Sequence, residues 1–265
     1  MSRTEIVLER AEGTRFTVTV ARAADPAAPV VLVAPAMGMK ARYYLDLLDA
    51  LAAAGIHGAV AEQRGHEAVG GRRPGRGYDY GYVDLVADLD AAVAAVGREL
   101  PGAPIVLAGH SLGGQIALAC VGLRPDRVAA LAFLASSTPH WPHWGPRLRL
   151  AGHLLPAVAR VVGHYPGERL GFAGRESRGV MRDWGRLART GRLVLGEEGL
   201  PGLVLPVLAI SVEGDELGVP EAVDALVAKL PAATVRREHL DVEGVDHFRW
   251  AKRPEGVVPL LADWL

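Results

Sequence analysis

Gly109-His110-Ser111-Leu112-Gly113 follows the apolar run Ile105-Val106-Leu107-Ala108 and precedes the helix-like run Gln115-Ile116-Ala117-Leu118-Ala119-Cys120. The order is strand, tight turn, helix, with a serine at the apex. A G-x-S-x-G turn between a strand and a helix lifts its serine hydroxyl above the sheet on a strained backbone. Glycines flank it because a Cβ there would collide with the neighbouring strand and helix. The N–H of the residue after the serine, Leu112, then points toward the reacting centre.

Outward from this turn, apolar runs and helical patterns alternate. Residues 5–10 and 15–20 alternate polar and apolar around Glu12-Gly13 and predict an antiparallel hairpin with one wet face. Val30-Val31-Leu32-Val33-Ala34 is continuously apolar, as in a strand covered on both faces. Tyr44, Leu47, Leu48 and Leu51 recur at helical spacing up to Gly55, and 58–61 is a short strand. Residues 84–100 carry Leu85, Leu89, Val93, Val96 and Leu100 on one helical face. Further strands are expected at 128–135, 207–212 and 234–242, with helices at 219–230 and 254–265, the last with Pro254 in its first turn. This alternation predicts an α/β fold with a doubly wound, mostly parallel sheet.

Residues 137–203 break the alternation and show no clear strand. They hold Trp141, Trp144 and Trp184, and ten arginines against five acids. Their place between two buried strands predicts a helical cap inserted in a core made of 1–136 and 204–265. Such a cap covers the carboxyl edge of the sheet, where open α/β sheets bind ligands. His110, Trp141 and Trp144 are expected to line the pocket beneath it. The arginines add a weaker expectation, an anionic group on the substrate.

A serine hydroxyl attacks only when a base takes its proton and a carboxylate orients that base. Of nine histidines, His57, His66 and His110 precede Ser111, and His140, His143, His153 and His164 fall in the excursion, a poor holder for a base. His239 reads as part of a strand. His247 lies in the loop Gly244-Val245-Asp246-His247-Phe248, between the last strand and the last helix, where a base is needed. The acid is sought at the end of the preceding strand. Asp215 lies beyond a glycine turn and is favoured over Glu213, with Asp241, Glu243 and Asp246 as weaker alternatives. The developing oxyanion calls for two backbone donors. Leu112 supplies one, and Met37, in the loop Pro35-Ala36-Met37-Gly38, is assigned the other.

The 265 residues suffice for one large domain, and the net charge of −1 gives no field favouring nucleic acid. The single cysteine, Cys120, has no disulfide or metal partner and reads as core. No P-loop, dinucleotide fingerprint or HExxH is present. The polar start Met1-Ser2-Arg3-Thr4-Glu5 lacks a signal-peptide pattern, and no apolar run reaches the roughly 20 residues of a membrane span, so a cytoplasmic protein is expected. The stretch Gly70-Gly71-Arg72-Arg73-Pro74-Gly75-Arg76-Gly77 reads as a solvated loop.

These residues resemble the α/β-hydrolase superfamily of serine hydrolases over nearly the whole chain. The elbow with Gly114 matches its nucleophile turn. Gln63-Arg64-Gly65-His66 is similar to its D-x-R-G-x-G segment, with glutamine in place of aspartate, and Pro35-Ala36-Met37-Gly38 stands where His-Gly is usual. More narrowly, Ala34–Gly38 with Arg42-Tyr43-Tyr44, Pro139-His140-Trp141, and the run from Tyr165 to Phe172 resemble a bacterial subgroup of predicted hydrolases. The resemblance implies Ser111 as nucleophile, Asp215 as acid and His247 as base, with no cofactor. The expected activity is hydrolysis of a small-molecule acyl substrate, an ester first. Acyl transfer on the same fold and a non-catalytic ligand receptor are the alternatives, and a homo-oligomer is allowed.

Overall fold

The computed structural model describes residues 3–265; Met1 and Ser2, the first two residues of the polar start, lie outside the described residues. The chain opens with the hairpin β1 (Arg3–Glu9) and β2 (Arg15–Ala21), then β3 (Val30–Ala34), α1 (Leu45–Ala53), β4 (His57–Ala61), α2 (Tyr82–Glu99), β5 (Ile105–His110), α3 (Leu112–Leu123) and β6 (Ala130–Leu134). An excursion follows with α4 (Pro146–Val162), β7 (Tyr165–Pro166), α5 (Gly167–Leu170), β8 (Arg175–Glu176) and α6 (Arg178–Thr190). The chain closes with β9 (Pro206–Val212), α7 (Pro220–Val227), β10 (Thr234–Leu240) and α8 (Val257–Trp264).

The main sheet has the order β1-β2-β4-β3-β5-β6-β9-β10. The strands from β4 to β10 run parallel, and β1 and β2 are antiparallel to their neighbours. β3, β4, β5 and β6 are buried at every position, the continuous apolar pattern of strands covered on both faces. Residues of α2, α3 and α7 form the core on one face, and those of α1 and α8 form it on the other. α3 is apolar nearly all round and is buried accordingly, with Cys120 inside and burial pushing its thiol up to about 12. Among the described residues no helix is long and apolar enough to cross a membrane.

Several boundaries differ from the sequence expectations for local reasons. β5 runs on to His110, so the turn is Ser111 alone. β6 stops at Leu134 because Ala135 turns to a positive φ of 46°. α2 starts at Tyr82, since Asp84 reaches back to accept from the Gly81 N–H at 2.8 Å. The last helix begins at Val257 rather than Pro254, whose carbonyl accepts from the N–H groups of Val257 and Val258. The excursion is not free of strand. Tyr165 pairs with Glu176 and Pro166 with Arg175 in a two-residue antiparallel ladder too short to show as a pattern.

Side chains from distant positions fasten the excursion to the core. The Tyr82 N–H donates to Asp183 at 3.0 Å, the Gly179 N–H donates to Asp79 at 3.0 Å, and Ser177 both caps α6 and donates to the Tyr80 carbonyl. Arg64 is gripped by Asp88 at 2.7 and 2.9 Å, while the neighbouring Gln63 is buried with its Oε1 unpartnered. His66 is paired with the buried Glu176 at 2.8 Å. Burial opposes the charge on this ring, but the Glu176 carboxylate outweighs it, so the His66 pKa is raised. A folded value above the unfolded one near 6.5 means that the pair stabilises fully below about pH 6.5 and loses its contribution as pH rises through the folded value. Thermal melts of wild type and His66→Gln should therefore differ most near pH 6 and converge at alkaline pH; a gap that widens with pH would refute the assignment.

Candidate active site

β5 delivers Ser111 to the carboxyl edge of the sheet at φ 52° and ψ −117°, a conformation that costs a non-glycine residue about 1–3 kcal/mol. The neighbours make room for it. A Cβ on Gly109 would meet the backbone of Gly113 and Gly114, one on Gly113 the Ala34 carbonyl, and one on Gly114 the Ser136 hydroxyl. Ser136 donates to the Ser111 carbonyl at 2.6 Å and holds the turn. Because the obstacle at Gly113 is backbone of β3, a methyl group there must push strand and helix apart. Gly113→Ala should cost about 1–3 kcal/mol, read as a melting temperature several degrees lower, at about 2–4 °C per kcal/mol for a chain of this size.

Asp215 follows β9 after a left-handed turn at Gly214 (φ 67°). Its Oδ1 accepts from the Leu217 N–H at 2.8 Å, and its Oδ2 accepts from His247 Nδ1 at 2.7 Å. The Asp215 side chain is 0 % exposed and that of His247 6 %, so water does not compete for the bond. A proton on Nδ1 leaves the Nε2 lone pair of the imidazole free. Glu213, two residues earlier, is turned to the surface and accepts from His239 Nε2 at 2.8 Å, while His239 Nδ1 pairs with Ser211 Oγ at 2.7 Å. Asp246 is occupied with the N–H groups of Phe248 and Arg249.

Ser111 and His247 share a cavity of about 390 Å³ with Ala36, Met37 and Leu112. Neither the Met37 nor the Leu112 N–H has an acceptor among the described residues. The rest of the wall is mostly apolar, including Leu148 and Leu155 from α4, Phe172, and Trp184 from α6. Trp144 lines it as expected, its indole held by the Thr138 carbonyl at 2.8 Å. Trp184 was assigned no place in the pocket from sequence, although Val180, Met181, Trp184, Leu187 and Ala188 mark one buried face of α6. Among the described residues, Glu216, exposed, is the one carboxylate on the wall, and no lysine or arginine lines it. None of the ten arginines of 137–203 lines it.

His110 and Trp141 do not line the cavity, contrary to expectation, and neither do His140 and His143. Trp141 lies outside it with the Arg149 guanidinium over its ring at 5.2 Å. His110 is fully buried beneath the site because residues alternate along β5 and the turn throws only Ser111 upward. Its Nε2 donates to the His247 carbonyl at 2.8 Å, so its Nδ1 is the acceptor for the Tyr44 hydroxyl at 2.8 Å. The Tyr44 oxygen in turn accepts the Ala36 N–H at 2.9 Å. Burial first, and then the neighbouring His247, push the His110 pKa well below the ordinary value and keep the ring neutral. This relay ties the Ala36-Met37 loop, the elbow and the His247 loop together.

The sheet order and the serine elbow define an α/β-hydrolase. The chain belongs to the serine aminopeptidase S33 family of hydrolases, whose sequence profile matches residues 25–183. It is 35% identical to epoxide hydrolase A of Mycobacterium tuberculosis over 116 residues, which are 44% of this chain and 34% of that protein. The chain thus spans about a third of the length of that curated relative. Among solved structures, it is similar in fold to a monoglyceride lipase from Saccharomyces cerevisiae, with a TM-score of 0.76, 17% identity, and coverage of 100% of this chain and 94% of that one. An esterase from Thermogutta terrifontis superposes with a TM-score of 0.68 and 18% identity, covering 100% and 98%.

Proposed function

We propose that this hydrolase cleaves carboxylic esters through a Ser111–His247–Asp215 triad and an acyl-enzyme. His247 Nε2 takes the Ser111 proton as Oγ attacks the ester carbonyl, and Asp215 holds the imidazole in the Nδ1–H tautomer and stabilises the imidazolium. The N–H groups of Met37 and Leu112 receive the oxyanion, each typically worth about 3 kcal/mol of barrier. The protonated His247 then gives its proton to the leaving alkoxide, and water, deprotonated by the same imidazole, releases the acid. Residues 137–203 act as the cap whose α4 and α6 wall the acyl pocket. The apolar lining favours an uncharged acyl chain of small or medium length.

The observation that carries this reading is the buried Asp215–His247 bond opening onto the same cavity as the strained Ser111. The epoxide chemistry in the name of the Mycobacterium tuberculosis relative does not transfer to a serine nucleophile. A serine alkoxide opening an epoxide leaves an alkyl ether, which water does not cleave, whereas an acyl ester turns over. Intact mass after treatment with a fluorophosphonate tests the proposal. One adduct on wild type that disappears in Ser111→Ala is expected; a folded wild type that stays unlabelled overturns it.

A further inference from the structure

A second cavity, of about 300 Å³, lies beside the first. It is walled by Lys40, the loop 65–68 that follows β4, the stretch 70–73, Glu168 and Arg175. Two segments serve both cavities. The loop after β3 gives Ala36 and Met37 to the first and Lys40 to the second; the strap 168–175 gives residues 171–173 to the first, and Glu168 and Arg175 to the second. Where the two segments cross they approach closely, since a Cβ on Gly38 would run into the backbone of Gly174. Both therefore open at the carboxyl edge of the sheet, where α/β folds hold their ligands.

Their chemistry is opposite. The first cavity is apolar, and the second is ringed by cations. Lys40, Arg73 and Arg175 have no acidic partner among the described residues. Arg175 is anchored by Nε, which donates to the Pro74 carbonyl at 2.8 Å. Arg72 is held by the Gly77 carbonyl at 2.8 Å, with the Tyr78 ring 5.0 Å away. The acids offer little compensation. Glu67 is turned inward to Arg10 at 2.7 Å, and Glu168 is exposed. His66, 8 % exposed, spends Nε2 on Glu176 and has no partner for Nδ1 among the described residues. Four basic side chains drawn from three separate segments, Lys40, Arg72 and Arg73 exposed and Arg175 half-buried, make the hollow's rim positive, and the guanidinium fork matches phosphate oxygens.

We propose that this second cavity binds a phosphate-type anion, carried on the leaving group of the ester whose acyl chain fills the first. The leaving-group part rests on the esterase reading above; the anion site itself does not. The loop 70–77 is then a ligand loop rather than merely solvated, and the charge of the excursion is used at Arg175, beside the acyl pocket and not in it.

Calorimetric titration of inorganic pyrophosphate into the whole protein tests the site without any turnover. Saturable, salt-sensitive binding is expected, weakened about tenfold in Lys40→Ala and in Arg73→Ala, the loss of one charge-assisted contact each. Arg192→Ala, which removes an exposed arginine away from the cavity, should bind as wild type does. Absence of saturable binding, or equal weakening by Arg192→Ala, overturns the proposal. A pair of 4-hydroxybutyl esters of one fatty acid, with a terminal hydroxyl or a terminal phosphate, then identifies the source. A KM about tenfold lower for the phosphate, with the advantage lost in Arg73→Ala, supports the leaving group. Equal KM values, with pyrophosphate still bound, overturn the leaving-group assignment and leave free phosphate as the ligand.

Discussion

Ser111→Ala is expected to lower kcat for ester hydrolysis by on the order of 10⁶-fold, the loss seen when the nucleophile of a Ser-His-Asp triad is removed. The size follows from the chemistry. Without Oγ no acyl-enzyme forms, and His247 has no proton to take. The oxyanion donors and the pocket remain, so the residual rate should stay above that of the uncatalysed reaction. The variant should fold and melt as wild type does, because alanine meets the same backbone cost at φ 52° and the removed hydroxyl makes no hydrogen bond among the described residues. Turnover of a neutral chromogenic ester, with a melting curve on the same preparation, checks both halves. Retained activity in the variant would eliminate Ser111 as the nucleophile.

The next largest effect is expected at Asp215. Asp215→Asn keeps the shape but replaces an acceptor with an amide that can donate toward His247 Nδ1. The imidazole then shifts its proton to Nε2, the nitrogen that must accept from Ser111, and loses the carboxylate that stabilises its charged form. A fall in kcat of about 10⁴-fold is expected, with KM little changed. Glu213→Gln is the control, since Glu213 lies on the surface paired with His239 and should leave kcat unaltered. If the Glu213 variant lost activity while the Asp215 variant kept it, the acid would be misassigned.

His110 acts on the same chemistry from below. His110→Ala removes the donor to the His247 carbonyl and the acceptor for Tyr44, leaving two buried polar groups unpaired at about 1–3 kcal/mol each. The expected result is a lower melting temperature together with a reduced kcat, since the His247 loop and the Ala36-Met37 loop lose their common tether. Tyr44→Phe, which breaks the bonds to His110 Nδ1 and to the Ala36 N–H but keeps the one to the His247 carbonyl, should also lower the melting temperature and loosen the Ala36-Met37 loop.

Much of this was legible in the sequence because it is local. Continuous apolar runs marked the buried parallel strands, and helical spacing marked the elements between them. The G-x-S-x-G turn fixed one backbone conformation and with it one candidate nucleophile. Even the preference for Asp215 over Glu213 came from counting residues past a strand end. The tiny β7–β8 ladder escaped because two residues carry no periodicity. His110 was misplaced because the side chain beside an apex serine points away from it, which a motif string does not display.

The sequence by itself therefore determined the α/β architecture, the elbow and the short set of groups able to act as acid and base, since each depends on dihedral preference and on periodicity over a few residues. Tertiary structure decided which of those groups meet. Asp215 and His247 are 32 residues apart and bond only because β9 and the loop after β10 end at the same edge. Trp184 enters the pocket from α6, which packs against α4, and Trp144 enters it from the short turn 141–144 with its indole held by the Thr138 carbonyl, while Trp141 of the same turn stays out. The arginines were countable in the chain, but their field depends on where folding brings Lys40, the 70–77 loop and Arg175 together. Contacts between distant segments are set by loop geometry and packing, which no local pattern encodes.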